Sequence, residues 1–119
     1  MDGEWSAAEG QIIASLTRRP ISLSQLVGRL EVRGAGIAGH DELELGLRRL
    51  IASGFVERTG SVFRLTRAGQ RIARRGLESA GPPAAPDAWT LDPEIYDRAL
   101  TDYHARADAI RARVSRRAK

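Results

Sequence analysis

A change of hydrophobic period at Gly54 constrains this chain more than any other feature. Before it, Leu43, Leu47, Leu50 and Ile51 recur at helical spacing. After it, Phe55-Val56-Glu57-Arg58 and Val62-Phe63-Arg64-Leu65 alternate around Thr59-Gly60-Ser61, the pattern of two short strands joined by a turn. Ser53-Gly54 supplies the helix stop, because glycine takes the left-handed conformation at a helix end without a Cβ penalty. Thr66 then stands where an N-cap would open another helix, Arg67 to about Leu77. Helix, hairpin and helix in so short a stretch leave few arrangements in which each buries its apolar face.

The flanking segments are punctuated just as clearly. Ser6-Ala7-Ala8-Glu9 is a capping box and predicts a helix to about Thr17, with Ile12, Ile13 and Leu16 on one side and Pro20 beyond its end. Ser22-Leu23-Ser24-Gln25 is a second box, opening a short helix with Leu23, Leu26, Val27 and Leu30 inward. The Gly-rich run from Arg33 to Gly39 connects it to a third helix, for which Asp41, three residues before Glu44, is read as the cap. Gly81-Pro82-Pro83-Ala84-Ala85-Pro86 cannot continue a helix and reads as an extended connector. Asp92-Pro93-Glu94 opens a last helix running to about Arg117. At 119 residues the expectation is one small protein, mainly α with a small β-hairpin (α+β). A domain over 4–77 is followed by a Pro/Ala-rich connector over 78–91 and a C-terminal helix over 92–117.

The order helix, helix, helix, hairpin, helix, with the sequence Asp41-Glu42-Leu43-Glu44-Leu45-Gly46-Leu47-Arg48-Arg49-Leu50-Ile51-Ala52-Ser53-Gly54-Phe55-Val56 and then Phe63-Arg64-Leu65-Thr66-Arg67-Ala68-Gly69, resembles the winged helix-turn-helix of MarR- and PadR-type bacterial regulators. The resemblance covers roughly residues 4–76. It implies a dimeric transcriptional regulator that binds double-stranded DNA, with the third helix in the major groove, the wing on the backbone, and dimerisation through helices outside the winged core.

Charge is distributed in agreement with such a partner. The chain carries 19 basic and 15 acidic residues, and all the basic ones but Lys119 are arginine. Residues 58–76 hold six arginines and no acid, and residues 106–119 hold five arginines and Lys119 against Asp108 alone. On the third helix, Asp41, Leu45, Arg48, Arg49 and Ala52 lie opposite the apolar face at about 100° per residue. Arg48 and Arg49 are the groove-reading candidates, since guanidinium forks pair with guanine edges or phosphates. Arg58, Arg64 and Arg67, on and just after the hairpin, fit phosphate contacts. Asp41 and Glu42 oppose the assignment, because a carboxylate beside a phosphate is repelled, although acids belong in the first turn of a helix. A connection of about nine residues before the third helix is longer than an ordinary helix-turn-helix turn, and the wing is short. A winged helix used as a protein–protein interaction module, through those acids and Leu45, is the rival reading.

Other chemistry is poorly represented. With no cysteine, disulfides, iron–sulfur clusters, thiolate zinc sites and cysteine nucleophiles are excluded. Gly34-Ala35-Gly36-Ile37-Ala38-Gly39 matches the dinucleotide fingerprint, with Glu57 at a ribose-binding distance in sequence. The preceding segment is capped as a helix rather than a strand, however, and Asp41 and Glu42 would sit beside the pyrophosphate. His104 and Asp108 share a helix face with Asp97 one heptad away, too few convergent ligands for a metal. Neither an enzyme nor a cofactor is expected. No apolar run approaches the ~20 residues needed to span a bilayer, and Asp2 and Glu4 stand where a secretory leader would be basic, so a soluble cytoplasmic protein is expected.

The last helix carries one further pattern. Tyr96, Leu100, Tyr103, Ala107, Ile110 and Val114 are spaced alternately by four and three, an a/d seam that asks for a partner helix. Tyr96, Leu100, Tyr103, Ile110 and Val114 are therefore the expected homodimer interface, the alternative being packing back onto the chain's own domain.

Overall fold

The computed structural model describes residues 4–32 and 39–117. The elements run α1 (Ala7–Ser15), β1 (Ile21–Ser22), α2 (Leu23–Val32), α3 (His40–Ala52), β2 (Val56–Thr59), β3 (Val62–Leu65), α4 (Arg67–Arg75), a single 3₁₀ turn (Leu77–Ser79) and α5 (Pro93–Arg117). The protein is thus mostly helical with a small antiparallel sheet, of strand order β1-β3-β2. The hairpin pairs Val56 with Leu65 and Thr59 with Val62, and β1 sets Ile21 opposite Phe63 on the other edge of β3.

The capping signals act as the sequence demands, with one exception. Glu9 takes the backbone N–H of Ser6 at 2.8 Å and also touches the Ser6 hydroxyl. Ser22 and Gln25 exchange reciprocal bonds at 2.9 and 3.2 Å. Thr66 accepts from the Gly69 amide at 3.0 Å and donates to the Gly54 carbonyl at 2.6 Å, joining the start of α4 to the end of α3. Gly54 has φ 78°, the left-handed stop at the period change. The exception is Asp41, which caps nothing: α3 begins two residues earlier than a cap there would allow, with Gly39 in the cap position and the Asp41 side chain in solvent. Ser15 ends α1 two residues early, which frees the Thr17 carbonyl to accept from Leu65 at 2.7 Å and tie the chain to the end of β3.

The core is aliphatic, with Phe63 the one fully buried aromatic ring among the described residues. Ile12, Leu26, Leu43, Leu47, Leu50 and Phe63 are essentially inaccessible. Two glycines stand at close approaches, the second against backbone that cannot give way. A Cβ on Gly46 would meet Ile12 at 2.7 Å, and one on Gly69 would meet the Phe55 carbonyl oxygen at 1.9 Å. The core does not stop at the 3₁₀ turn. Leu91, Tyr96 and Ala99 are buried in the same cluster, with Trp89, Leu100 and Tyr103 packed against it. The end of the connector and the first half of α5 are therefore part of the packed body.

Candidate nucleic-acid interface

The residues expected to read a groove are already occupied. On α3, His40, Glu44 and Arg48 follow one another at intervals of four and lie along one face. Each is bound to the backbone of the returning connector. Arg48 Nε donates to the Asp87 carbonyl at 2.7 Å, and the Asp87 amide donates back to the Arg48 carbonyl at 3.0 Å. Glu44 accepts from the Leu91 amide at 2.7 Å, and His40 Nε2 lies 2.6 Å from the Leu91 carbonyl. Residues 87–91 thus lie across α3 as a strap. Trp89 is seated edge-on to Phe63, their centroids 5.7 Å apart. The His40 pKa is raised, chiefly by the bond to the Leu91 carbonyl and then by Asp41 at 3.1 Å, with Glu44 adding a smaller attraction and burial opposing.

Arg49 points the other way and is equally engaged. Its Nη1 donates to Glu9 at 2.7 Å, its Nη2 to the Glu4 carbonyl at 2.9 Å, and its guanidinium lies 5.1 Å from the centre of the Trp5 ring. The expectation that Arg48 and Arg49 stand on an open face is corrected: one fastens the strap and the other fastens α1. The face that α3 leaves to solvent consists of Asp41, Glu42, Leu45 and Ala52, and it is acidic where it is charged at all.

The hairpin arginines are partly committed. Arg58 donates to the Gly60 carbonyl at 2.9 Å and lies 5.2 Å over the Trp89 ring, so it also secures the strap. Arg64 pairs with Glu57 at 3.0 Å across the strands, both half in solvent, an interaction that competes only weakly with another anion.

Arg67 is different. It opens the outer face of α4, on which Arg71, Arg74 and Arg75 follow at i+4, i+7 and i+8. All four are exposed, and among the described residues none has an ion pair or a side-chain hydrogen bond. The inner face is made by Ala68, Gly69 and Ile72, and the small residues let α4 lie close on the Phe55 backbone and the core. Arg71, Arg74 and Arg75 are not among the site residues expected from the sequence. The signal that finds them is the acid-free arginine block read at helical spacing rather than by its total.

The seam on α5 divides. Tyr96 and Leu100 belong to the protein's own core, and the Tyr103 ring lies against Gly28 of α2. These three are corrected from an interface between chains to packing within one. Ile110 and Val114 remain in solvent. The His104 ring lies tilted beside that of Tyr103, with ring centres 5.4 Å apart. Of the glycine fingerprint, all but Gly39 lies outside the described residues, while Leu30, Glu31 and Val32 before it are helical and Glu57 is held by Arg64. No described helix is long and apolar enough to cross a membrane. Comparison with protein-family models, with curated proteins and with solved structures gave no match.

Proposed function

We propose that this chain is a winged-helix DNA-binding protein of the regulator type, gripping the duplex by its phosphates through α4 rather than reading bases through α3. The observation that carries the reading is the outer face of α4: Arg67, Arg71, Arg74 and Arg75 on one side of one helix, without a carboxylate within ion-pair distance among the described residues. A protein gains little from holding four unneutralised guanidinium groups together, and a polyanion turns that repulsion into attraction. The order α1-β1-α2-α3-β2-β3, with β3 between its two partners, supports the winged-helix assignment. Arg64 extends the basic surface back along the wing. Phosphate pairing of this kind sets affinity and orientation and carries no base sequence.

Fluorescence anisotropy with an arbitrary duplex tests it. Arg71→Glu/Arg74→Glu is expected to weaken binding strongly, and each phosphate that is no longer neutralised should lower the salt slope by about 0.9. Unchanged affinity and slope would overturn the proposal.

One observation favours the rival. The exposed face of α3 offers Asp41, Glu42 and Leu45, the last 46% exposed, to a basic and apolar protein surface. Absence of any duplex binding by the wild type would select that reading.

A further inference from the structure

The apolar stripe of α5 changes its surroundings half-way along. Up to Tyr103 it is covered by α2 and the core; a Cβ added to Gly28 would stand 3.0 Å from the Tyr103 ring, so the two helices meet closely there. Beyond Tyr103, among the described residues, nothing covers it. Ile110 is 59% and Val114 61% exposed, with the smaller Ala107 half-buried between Tyr103 and Ile110. The stripe also opens sideways. Tyr103 lines a groove of ≈ 500 Å³ together with Ala14, Gly28 and Val32, and Val32 is 84% exposed. An apolar surface therefore runs from this groove through Tyr103 to Val114.

Its borders have one sign. In heptad register, Tyr103, Ala107, Ile110 and Val114 form the seam, and His104, Arg106, Arg111 and Arg113 occupy the flanking positions that set partner choice. The acids beside it, Asp102 and Asp108 on α5 and Glu31 next to Val32, lie off the seam, and Asp108 is drawn to Arg111 at 3.7 Å on the open surface. A second copy of α5 would set arginine against arginine in either orientation. We infer that this surface receives an acidic amphipathic helix of another protein, its apolar side on Tyr103, Ile110 and Val114 and its carboxylates on the three arginines. The inference is independent of DNA binding, since α4 takes no part.

The probe is a designed peptide about three heptads long, with leucine at its seam and glutamate at both flanks, which cannot pair with itself for the same electrostatic reason. Anisotropy of the labelled peptide on the full chain should show saturable binding. Ile110→Gln/Val114→Gln and Arg106→Glu/Arg111→Glu should each weaken it about tenfold or more, while circular dichroism shows both variants folded. A peptide with lysine flanks should not bind. Three results would overturn the inference: no binding of the glutamate peptide, loss on the charge variant alone, or a wild-type chain that sediments as a dimer which the Gln variant dissociates.

Discussion

At the scale of single residues, the Glu9 side chain ties the start of α1 to α3. It is 1% exposed, and its two carboxylate oxygens divide the work, one closing the N-terminus of α1 and the other taking Arg49 from α3. Arg49 in turn covers Trp5 and holds the Glu4 carbonyl. A buried pair of this kind adds little over an apolar pair of equal size, yet removing one partner strands the other charge. Arg49→Met is therefore expected to cost about 3 kcal/mol, measured by urea denaturation. Glu9→Gln/Arg49→Met should recover much of that loss, because Gln still completes the capping box and leaves no buried charge. A single variant within about 0.5 kcal/mol of the wild type would mean that the pair does not tie α1 to α3. On the proposed DNA-binding role, the double variant should bind a duplex as the wild type does, which separates this arginine from those of α4.

At the scale of elements, what was legible followed from local chemistry. The period change at Gly54, the Thr66 cap and the Asp92-Pro93-Glu94 start each act through residues adjacent in sequence, and each appears in place. β1 was not legible, because Ile21–Ser22 is too short to show alternation and is recruited only when β3 arrives beside it. The strap was hidden for a related reason. Its proline-rich lead-in resembles a free linker, and the residues that betray it, Trp89 and Leu91, declare themselves only against Phe63 and α3. Its attachment through His40 has a pH signature. Asp41, Glu44, the Leu91 carbonyl and the edge of Tyr96 surround the ring, and the net effect raises its pKa above the usual 6.5. Protonated His40 thus contributes stability that is complete below that usual value and disappears as pH rises through the folded-state value. The stability difference between wild type and His40→Gln should be largest in mild acid and shrink towards alkaline pH. A difference that stays flat across this range would show that the imidazole charge does not hold the strap.

At the scale of the whole molecule, charge is segregated by element, and the segregation explains why only part of the site could be read in advance. The sequence shows which residues are basic but not which are already paired, so Arg48 and Arg49 look as available as Arg67 until the strap and α1 are in place. The same question of hidden partners divides α5. The molecule measures 54 Å along its longest axis against 30 and 26 Å across, and its 15.3 Å radius of gyration exceeds the ~13.5 Å of a compact chain of this length. If the distal turns of α5 lack a partner in the free protein, they add little to its stability, whereas the proximal turns are core. A chain ending after Arg106 should stay within about 1 kcal/mol of the full chain in urea. A chain ending after Asp92 loses Tyr96, Ala99, Leu100 and Tyr103, and should lose upwards of about 5 kcal/mol by apolar area alone, most of what a small domain possesses. The melting temperature of the full chain should also not depend on its concentration, as it would if two copies shared the seam. A large loss at the first cut, together with a concentration-dependent midpoint, would place Ile110 and Val114 in a dimer and return the whole stripe, from Tyr103 onward, to pairing between copies.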